Sequence, residues 1–389
     1  MHIQKDRERQ GLEPLRIVPV AGRRMTARFI EMPWPLYAAD PCWVPPLLME
    51  RKWHLSAKNP YFEHAEFQAW IALRGDRMVG RISAQVDQLH LQQHNDATGF
   101  FGFLEAEDSA ETFQALFAVA EEWLRHKGMQ RVRGPFSLSI NDECGLLVDG
   151  FDSPPPIMLA HALPYYGKRV EEQGYVKAQD LIAYRVDPNL AHQPHLELLS
   201  KRYSQRIEVR KMRRDRFAEE LEIIRDLFVD AWSDNWGFIP FTQAEFAELG
   251  KNLKFLVDSE SIRIAEVDGE PMAMMVMFPN INEMIKDLNG RLLPFGWLKL
   301  LWRLKVSGAR SSRVPLMGVR RRYQGTMMGA ALALMTIDPI HQHARRKGIA
   351  EVDMSWILEQ NKGMRKIIEL LGSDPYKRYR IYEKDLPAG

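Results

Sequence analysis

The sequence predicts a mixed α/β protein, an α+β arrangement on a mixed sheet, built twice from one unit. Two β-hairpin patterns sit in corresponding places: residues 67–88, turning at Arg74-Gly75-Asp76, and residues 261–278, turning at Asp268-Gly269-Glu270. Each is followed later by a helix ending in basic residues and glycine, 109–128 and 329–348. Each helix leads to a short strand, 130–136 and 350–357, and then to a helix closed by glycine, "YYGKRVEEQGY" and "NKGMRKIIELLGS". The order hairpin, strand, helix, strand, helix thus occurs twice, which is the mark of an internal duplication.

Taken in order, residues 1–66 come first. They are rich in Pro and Trp ("MPWPLYAADPCWVPPLL") and are expected to wrap the first half as extended chain and short helices. The expected domains are 67–190 and 210–389, joined near 187–215. In the first half the strand "TGFFGFLEAEDSAE" enters its helix through Glu105, Glu107 and Asp108. Three carboxylates there would repel a phosphate group. In the second half "VPLMGV" has the length and apolarity of a buried strand, and "MGAALALMTI" is made of good helix formers. Between them runs Tyr323-Gln324-Gly325-Thr326-Met327-Met328-Gly329. The first N–H groups of a helix lack internal partners and its N-terminal dipole end is positive, so such a turn suits an anion. Gly325 and Gly329 would let the anion approach the backbone.

Composition narrows the function classes. Hydrophobic residues make up 46% and charged residues 27%, the mix of a globular protein. A net charge of +2 argues against nucleic acid as a partner. Cys42 and Cys144 are the two cysteines, with no CxxC and no Cys/His cluster, so neither a disulfide framework nor a metal site is expected. The polar start "MHIQKDRERQ" and the lack of a run of about 18 apolar residues lead us to expect a cytoplasmic protein. Charge is unevenly placed. No Asp or Glu lies between Asp287 and Asp338, while Arg291, Lys299, Arg303, Lys305, Arg310, Arg313, Arg320, Arg321 and Arg322 do, which suggests an anionic ligand or surface.

The turn resembles the signature Q/R-x-x-G-x-G/A of the GNAT acyltransferase superfamily. Gln324 matches the first position and Gly329 the last; Met327 stands where the middle glycine is usual. Longer stretches, among them "DPCWVPPL", "NPYFEHAEFQAWIA", "RGPFSLSINDECGLLVDGFDSPPPIM" and "NWGFIPFT", resemble a bacterial family of tandem GNAT-like proteins that includes ceramide synthases. The resemblance implies two tandem GNAT-like domains, the first degenerate, with acyl-CoA or acetyl-CoA as cosubstrate of the second. It implies that Met317 and Val319 offer strand N–H groups to the pantetheine and the carbonyl. Gln324, Gly325, Thr326, Met327, Met328 and Gly329 would hold the pyrophosphate, and Asn361 would begin the next helix. A Tyr that often follows this Asn by seven residues is replaced by Ile368, so an acid must come from elsewhere; Tyr376, Tyr379 and Tyr382 are available, and Tyr382 is taken as the candidate.

Amide formation from a thioester needs a deprotonated amine, a stabilised carbonyl oxygen and a departing thiolate. Candidate bases are Glu351, Asp353 and Glu359; Glu351, Asp353 and Ser355 share a strand face by period two. Asn141 and Glu143, after the first-half strand, are candidates for the acceptor, with Tyr165 and Trp236 as aromatic lining. Cys144 reads as a buried, inert cysteine. The stretch 291–305, "RLLPFGWLKLLWRLK", has Lys299 and Arg303 on one helical face and reads either as a membrane-surface element or as a helix packed on the sheet. Three functions remain open: N-acyl transfer of a fatty acyl group to a sphingoid-type lipid amine, acetyl transfer to a small amine, and a non-catalytic acyl-CoA or protein binder. Acyl carrier protein is an alternative donor.

Overall fold

The computed structural model describes residues 13–189, 201–254, 257–370 and 372–387. The polar first residues and the middle of the expected 187–215 link lie outside them. The chain divides into two compact units. Strand labels β1–β12 and helix labels α1–α9 follow chain order below, for the elements that position the site.

The first unit comprises residues up to Phe151, Ala160–Gln179 and Arg380 onward. Its strands are β1 (Leu15–Pro19), β2 (Ala65–Arg74), β3 (Arg77–Asp87), β4 (Thr98–Ala106) and β5 (Arg131–Gly134). β1 to β4 form an antiparallel meander, and β5 joins β4 in parallel. The hairpin turn uses Gly75 at φ 57°, a conformation open to glycine. Before β2 the chain forms α1 (Gly22–Glu31) and α2 (Leu48–His54). The crossover to β5 is α3 (Ala110–His126), capped by Ser109, whose hydroxyl accepts from the Thr112 N–H. Phe113, Leu116, Phe117, Ala120 and Leu124 recur at helical spacing and are buried together. A short helix, α4 (Tyr166–Glu171), follows. The unit is closed by Arg380–Asp385, from the last strand of the chain, which pairs antiparallel with β5 from Tyr382↔Gly134 to Asp385↔Arg131.

The second unit, Asp152–Leu159 with Asp180–Tyr379, repeats this plan. Its strands are β6 (Val176–Val186, from Asp180), β7 (Ile207–Lys211), β8 (Ile262–Val267), β9 (Glu270–Pro279), β10 (Ser311–Val319), β11 (Glu351–Leu358) and the first half of β12 (Pro375–Asp385). β7 to β10 are an antiparallel meander, β11 joins β10 in parallel, and β6 closes β11 antiparallel. So the strand at the end of the first half completes the second unit, and the chain's last strand completes the first.

Side-chain alternation along β9 sorts this sheet's two faces. Met274, Val276 and Phe278 pack with Ile224, Leu227 and Phe228 of α5 (Phe217–Trp232) and Phe246 of α6 (Gln243–Leu253). Met275 and Met277 pack on the other face, with Ile337 and Ile340 of α8 (Met327–Arg346) and Ile368 of α9 (Lys362–Leu370). Between these pairs, α7 spans Gly296–Trp302. Met272, Met274, Met275, Met277, Met284 and Met328 are buried and serve as adaptable core fillers; Met327 is 58% exposed.

Candidate active site

The parallel pairing of β10 with β11 is short. It runs from Ser311↔Glu351 to Val314↔Met354 and stops. The next residue is Pro315, which has no N–H to continue a ladder. On the other strand the register of β11 against β6 shifts between Met354 and Ile357. The two parallel strands therefore part into a wedge. A cavity of about 60 Å³ occupies it, lined by Pro315, Met317, Ser355, Trp356, Asn361 and Trp232 among others. The Trp232 indole N–H donates to the Met317 carbonyl at 3.1 Å and fixes that wall.

The glycine turn follows β10. Gly325 has φ 72° and Thr326 is the N-cap of α8, its hydroxyl accepting from the Gly329 N–H at 3.0 Å and donating to the Tyr323 carbonyl at 2.7 Å. A Cβ on Gly329 would lie 2.0 Å from the Tyr323 carbonyl oxygen, so only glycine fits. Gln324 ties the turn down: its amide donates to the carbonyls of Ala231 and Val319, each at 2.9 Å. Met327 is exposed at the mouth of the helix and Met328 is buried beneath it. The three arginines before the turn each meet an acid: Arg320 meets Asp226, Arg321 meets Asp234 at 3.1 Å and Arg322 meets Glu270 at 2.9 Å. The helix end and its backbone groups, rather than bare arginines, make this turn suited to an anion.

At the other side of the wedge, Asn361 begins α9; its side-chain oxygen accepts from the Met364 N–H at 3.1 Å. Ile368 is fully buried, as an apolar substitute for a tyrosine should be.

The candidate bases part company. Glu351 is exposed and pairs with Arg185 at 3.1 Å. Glu359 accepts from the Asp180 N–H at 3.1 Å, a structural bond at the end of β11. Asp353 is buried at 5% exposure beside the root of the wedge. It accepts hydrogen bonds from the Ser355 hydroxyl and, at 2.6 Å, from the Tyr376 hydroxyl. Arg313, also buried, lies 3.9 Å from it and donates to the Ser355 carbonyl and hydroxyl and, at 2.7 Å, to the Ile157 carbonyl. Burial pushes the Asp353 carboxyl above its ordinary range, against the opposing pull of Arg313, Ser355 and Tyr376. Burial, then the charge of Asp353, push the Tyr376 phenol up as well, so it stays protonated.

Tyr382, the sequence candidate for the acid, belongs to the first unit. β12 is divided between the units, and Tyr382 is buried, donating to Glu171 at 3.1 Å. Tyr376, on the second unit's part of the same strand, is the tyrosine that meets a candidate base. Sequence reading offered Tyr376 but had no way to see where the strand divides.

The acceptor candidates Asn141, Glu143 and Tyr165 are in the first unit. Glu143 pairs with Arg51, the Asn141 N–H donates to the Ser139 hydroxyl at 3.0 Å, and the Tyr165 hydroxyl donates to the Ala106 carbonyl at 2.7 Å. Burial pushes the Tyr165 phenol up to about 12. Trp236, in the second unit, is half-buried in the loop between α5 and α6. Cys144 is buried, and His161 is bonded to Asp40 at 2.8 Å. The acids that precede α3 are all engaged: Glu105 by Tyr37 and Tyr166, Glu107 by Arg74 and Arg77, Asp108 by Arg169. Among the described residues, no group of His, Cys, Asp and Glu is arranged to hold a metal.

The two repeated units and the wedge define a tandem GNAT fold. Solved structures agree: a tandem GNAT protein from the clavulanic acid biosynthesis pathway aligns at TM-score 0.56 and 14% identity, covering 97% of this chain and 100% of that one. A GCN5-related N-acetyltransferase from Sphaerobacter thermophilus aligns at TM-score 0.53 and 13% identity, covering 97% and 98%. No family model matches the chain. Among curated proteins, Protein YghO of Escherichia coli (strain K12) is 49% identical over 359 residues, 92% of each chain. The bacterial ceramide synthase of Caulobacter vibrioides (strain NA1000 / CB15N) is 45% identical over 379 residues, 96% of this chain and 98% of that one. The chain belongs to the family of tandem GNAT-type N-acyltransferases that contains this ceramide synthase.

Proposed function

We propose that this protein uses acyl-CoA to place a fatty acyl group on the amine of a sphingoid-type lipid. The observation that carries acyl transfer is the wedge between β10 and β11, with the capped glycine turn on one side and buried Asp353, bonded to Tyr376, at its root. In this reading the turn Gln324–Gly329 takes the pyrophosphate, and the N–H groups of Met317 and Val319 hold the pantetheine arm and the carbonyl oxygen. The amine arrives as an ammonium ion without a lone pair. Asp353, with its carboxyl raised by burial, takes the proton, because a base of raised pKa holds it more firmly. The amine nitrogen attacks the thioester carbon; the C–N bond forms, the nitrogen sheds its second proton to solvent, the C–S bond breaks, and the thiolate collects a proton delivered from Tyr376, which Asp353 replaces with the one it took from the ammonium.

The lipid substrate is supported by the 45% identical ceramide synthase and by the surface of 291–307. Leu293, Phe295, Trp297, Leu298, Leu301, Trp302 and Val306 are exposed there, between 47% and 79%. No residue of α7 is buried. Asp287 takes Lys299 and Arg303, holding the helix in place, while Arg291 and Lys305 stay at the surface. Exposed tryptophan and leucine among basic residues favour contact with an anionic lipid surface. No described helix is long and apolar enough to cross a membrane.

The test is release of thiol from palmitoyl-CoA in the presence of sphinganine by the wild type, Asp353→Asn and Tyr376→Phe. Loss of turnover in Asp353→Asn with CoA binding intact supports the assignment. Full turnover in that variant removes Asp353 from the mechanism.

A further inference from the structure

A second cavity, of about 290 Å³, lies in the second unit. It is lined by Leu221 and Ile224 of α5, Leu249 of α6 and Leu316 of β10, with Phe246 and Phe278, and opens to solvent. A volume of this size is at the lower end of those that bury small ligands. The lining is mainly apolar, but its polar residues are mostly basic: Arg214, Lys254 and Lys305, all exposed to solvent, with Asp258 the one acid, itself beside His343 and Lys347. Two placements connect the cavity to the chemistry. Leu316 lines it on the other strand face from Pro315 and Met317, which line the wedge, so a single strand, β10, separates the two. Lys305 belongs to the stretch that displays Trp302 and Val306 to solvent, so the cavity adjoins the surface read above as lipid-facing.

We propose that this cavity is the binding site of one hydrocarbon chain of a lipid substrate, entered past its basic residues. The argument is chemical. A mainly apolar cavity rewards a ligand that is apolar along its length, and each methylene removed from water tightens binding about fourfold. Exposed basic residues suit a chain that leaves an anionic headgroup or an anionic lipid surface. Only β10 lies between the cavity and the wedge, where the reacting carbonyl would sit. The chain could belong to the acyl donor or to the lipid amine; the chemistry is the same, and the experiment separates them. The inference deepens the proposed function and rests on it only for the identity of the chain's head.

The experiment measures binding of 16-carbon and 8-carbon chains, below their micellar concentrations, in three classes: acyl-CoA, radiolabelled free fatty acid, and saturated amine. Wild type is compared with Leu249→Trp and Leu221→Trp. Both positions are half-buried, on different helices, and far-UV circular dichroism checks that each variant is folded. The expected result is a strong preference of the wild type for the 16-carbon chain, reduced at least tenfold in each variant, with affinity for CoA itself unchanged. Reduction confined to acyl-CoA and fatty acid assigns the donor chain; reduction confined to the amine assigns the acceptor chain. A wild type without chain-length preference in any class, or folded variants that keep it in every class, overturns the proposal. Binding of long fatty acid without binding of CoA would leave the cavity site standing and sink the acyl-CoA reading, so the two fail separately.

Discussion

Replacing Gly329 by alanine tests the anion turn at one atom. The new Cβ would sit 2.0 Å from the Tyr323 carbonyl oxygen and 2.9 Å from its carbon, both backbone atoms that cannot swing aside. The turn has to move. Moving it breaks the Thr326 cap, in which one hydroxyl accepts from Gly329 and donates to Tyr323. Loss of a cap costs about 1 kcal/mol and overpacking about 1–3 kcal/mol, so the variant is expected to lose about 2–4 kcal/mol of stability. If the same turn holds the pyrophosphate, about 1.4–2.8 kcal/mol of binding is at stake, which is about 10- to 100-fold in the Kd for CoA. Thr326→Ala is the companion, because it removes the cap without the clash and should cost about 1 kcal/mol. Isothermal titration with CoA, beside urea unfolding, measures both quantities. A folded Gly329→Ala protein that binds CoA as the wild type does would refute the reasoning, since the clash is with the backbone that is meant to cradle the anion.

Other expectations follow from the same geometry. Asp353→Asn and Tyr376→Phe should each lower kcat by about 100-fold or more, the usual share of a general base and of a general acid. The acid limb of the wild-type pH–rate profile should lie above the ordinary aspartate value near 3.9 and vanish in Asp353→Asn. The same raised carboxyl affects stability: between about 3.9 and its folded value the folded state holds more protons, so stability falls as pH rises, and this slope is absent from the variant in parallel unfolding curves. His90 has the opposite sign. Burial first, partly offset by Asp96 at 2.9 Å, lowers it to about 4. The unfolded chain then binds more protons between about pH 4 and 6.5, and up to about 3 kcal/mol of stability should be lost as pH falls through that window. His90→Gln should flatten this limb. Leu298→Glu combined with Leu301→Glu, at positions 47% exposed, should leave folding intact and weaken flotation with anionic vesicles by at least tenfold.

Much of the architecture was legible because it rests on short-range chemistry. The hairpins turn where Arg74-Gly75-Asp76 and Asp268-Gly269-Glu270 stand, since Gly75, Asp268 and Gly269 take the positive φ that such turns need. The helix from Met327 starts at a Thr cap with Gly329 behind it, and Asn361 opens the last helix, both as the residues imply. The closing of each unit was not legible. Nothing local tells β12 to divide between units or tells β6 to complete the second one, because pairing partners far apart in sequence are chosen by the whole sheet. That is why Tyr382 looked equivalent to Tyr376. The basic block was also misleading in part. Its arginines before the turn are answered by Asp226, Asp234 and Glu270 from other elements, and a charge count along the chain cannot see across the fold. Among the candidate bases, period-two spacing put Asp353 beside Ser355, but it could not show that Tyr376 and Arg313 would enclose it.

The most direct measurement is mass spectrometry of the products formed when purified protein meets palmitoyl-CoA or acetyl-CoA, each with sphinganine or a small polyamine. The account predicts an N-palmitoyl sphinganine amide, with one CoA thiol released per amide. An N-acetylated polyamine as the main product would contradict the lipid reading, and no amide from any pair, with CoA still bound, would contradict acyl-CoA transfer altogether.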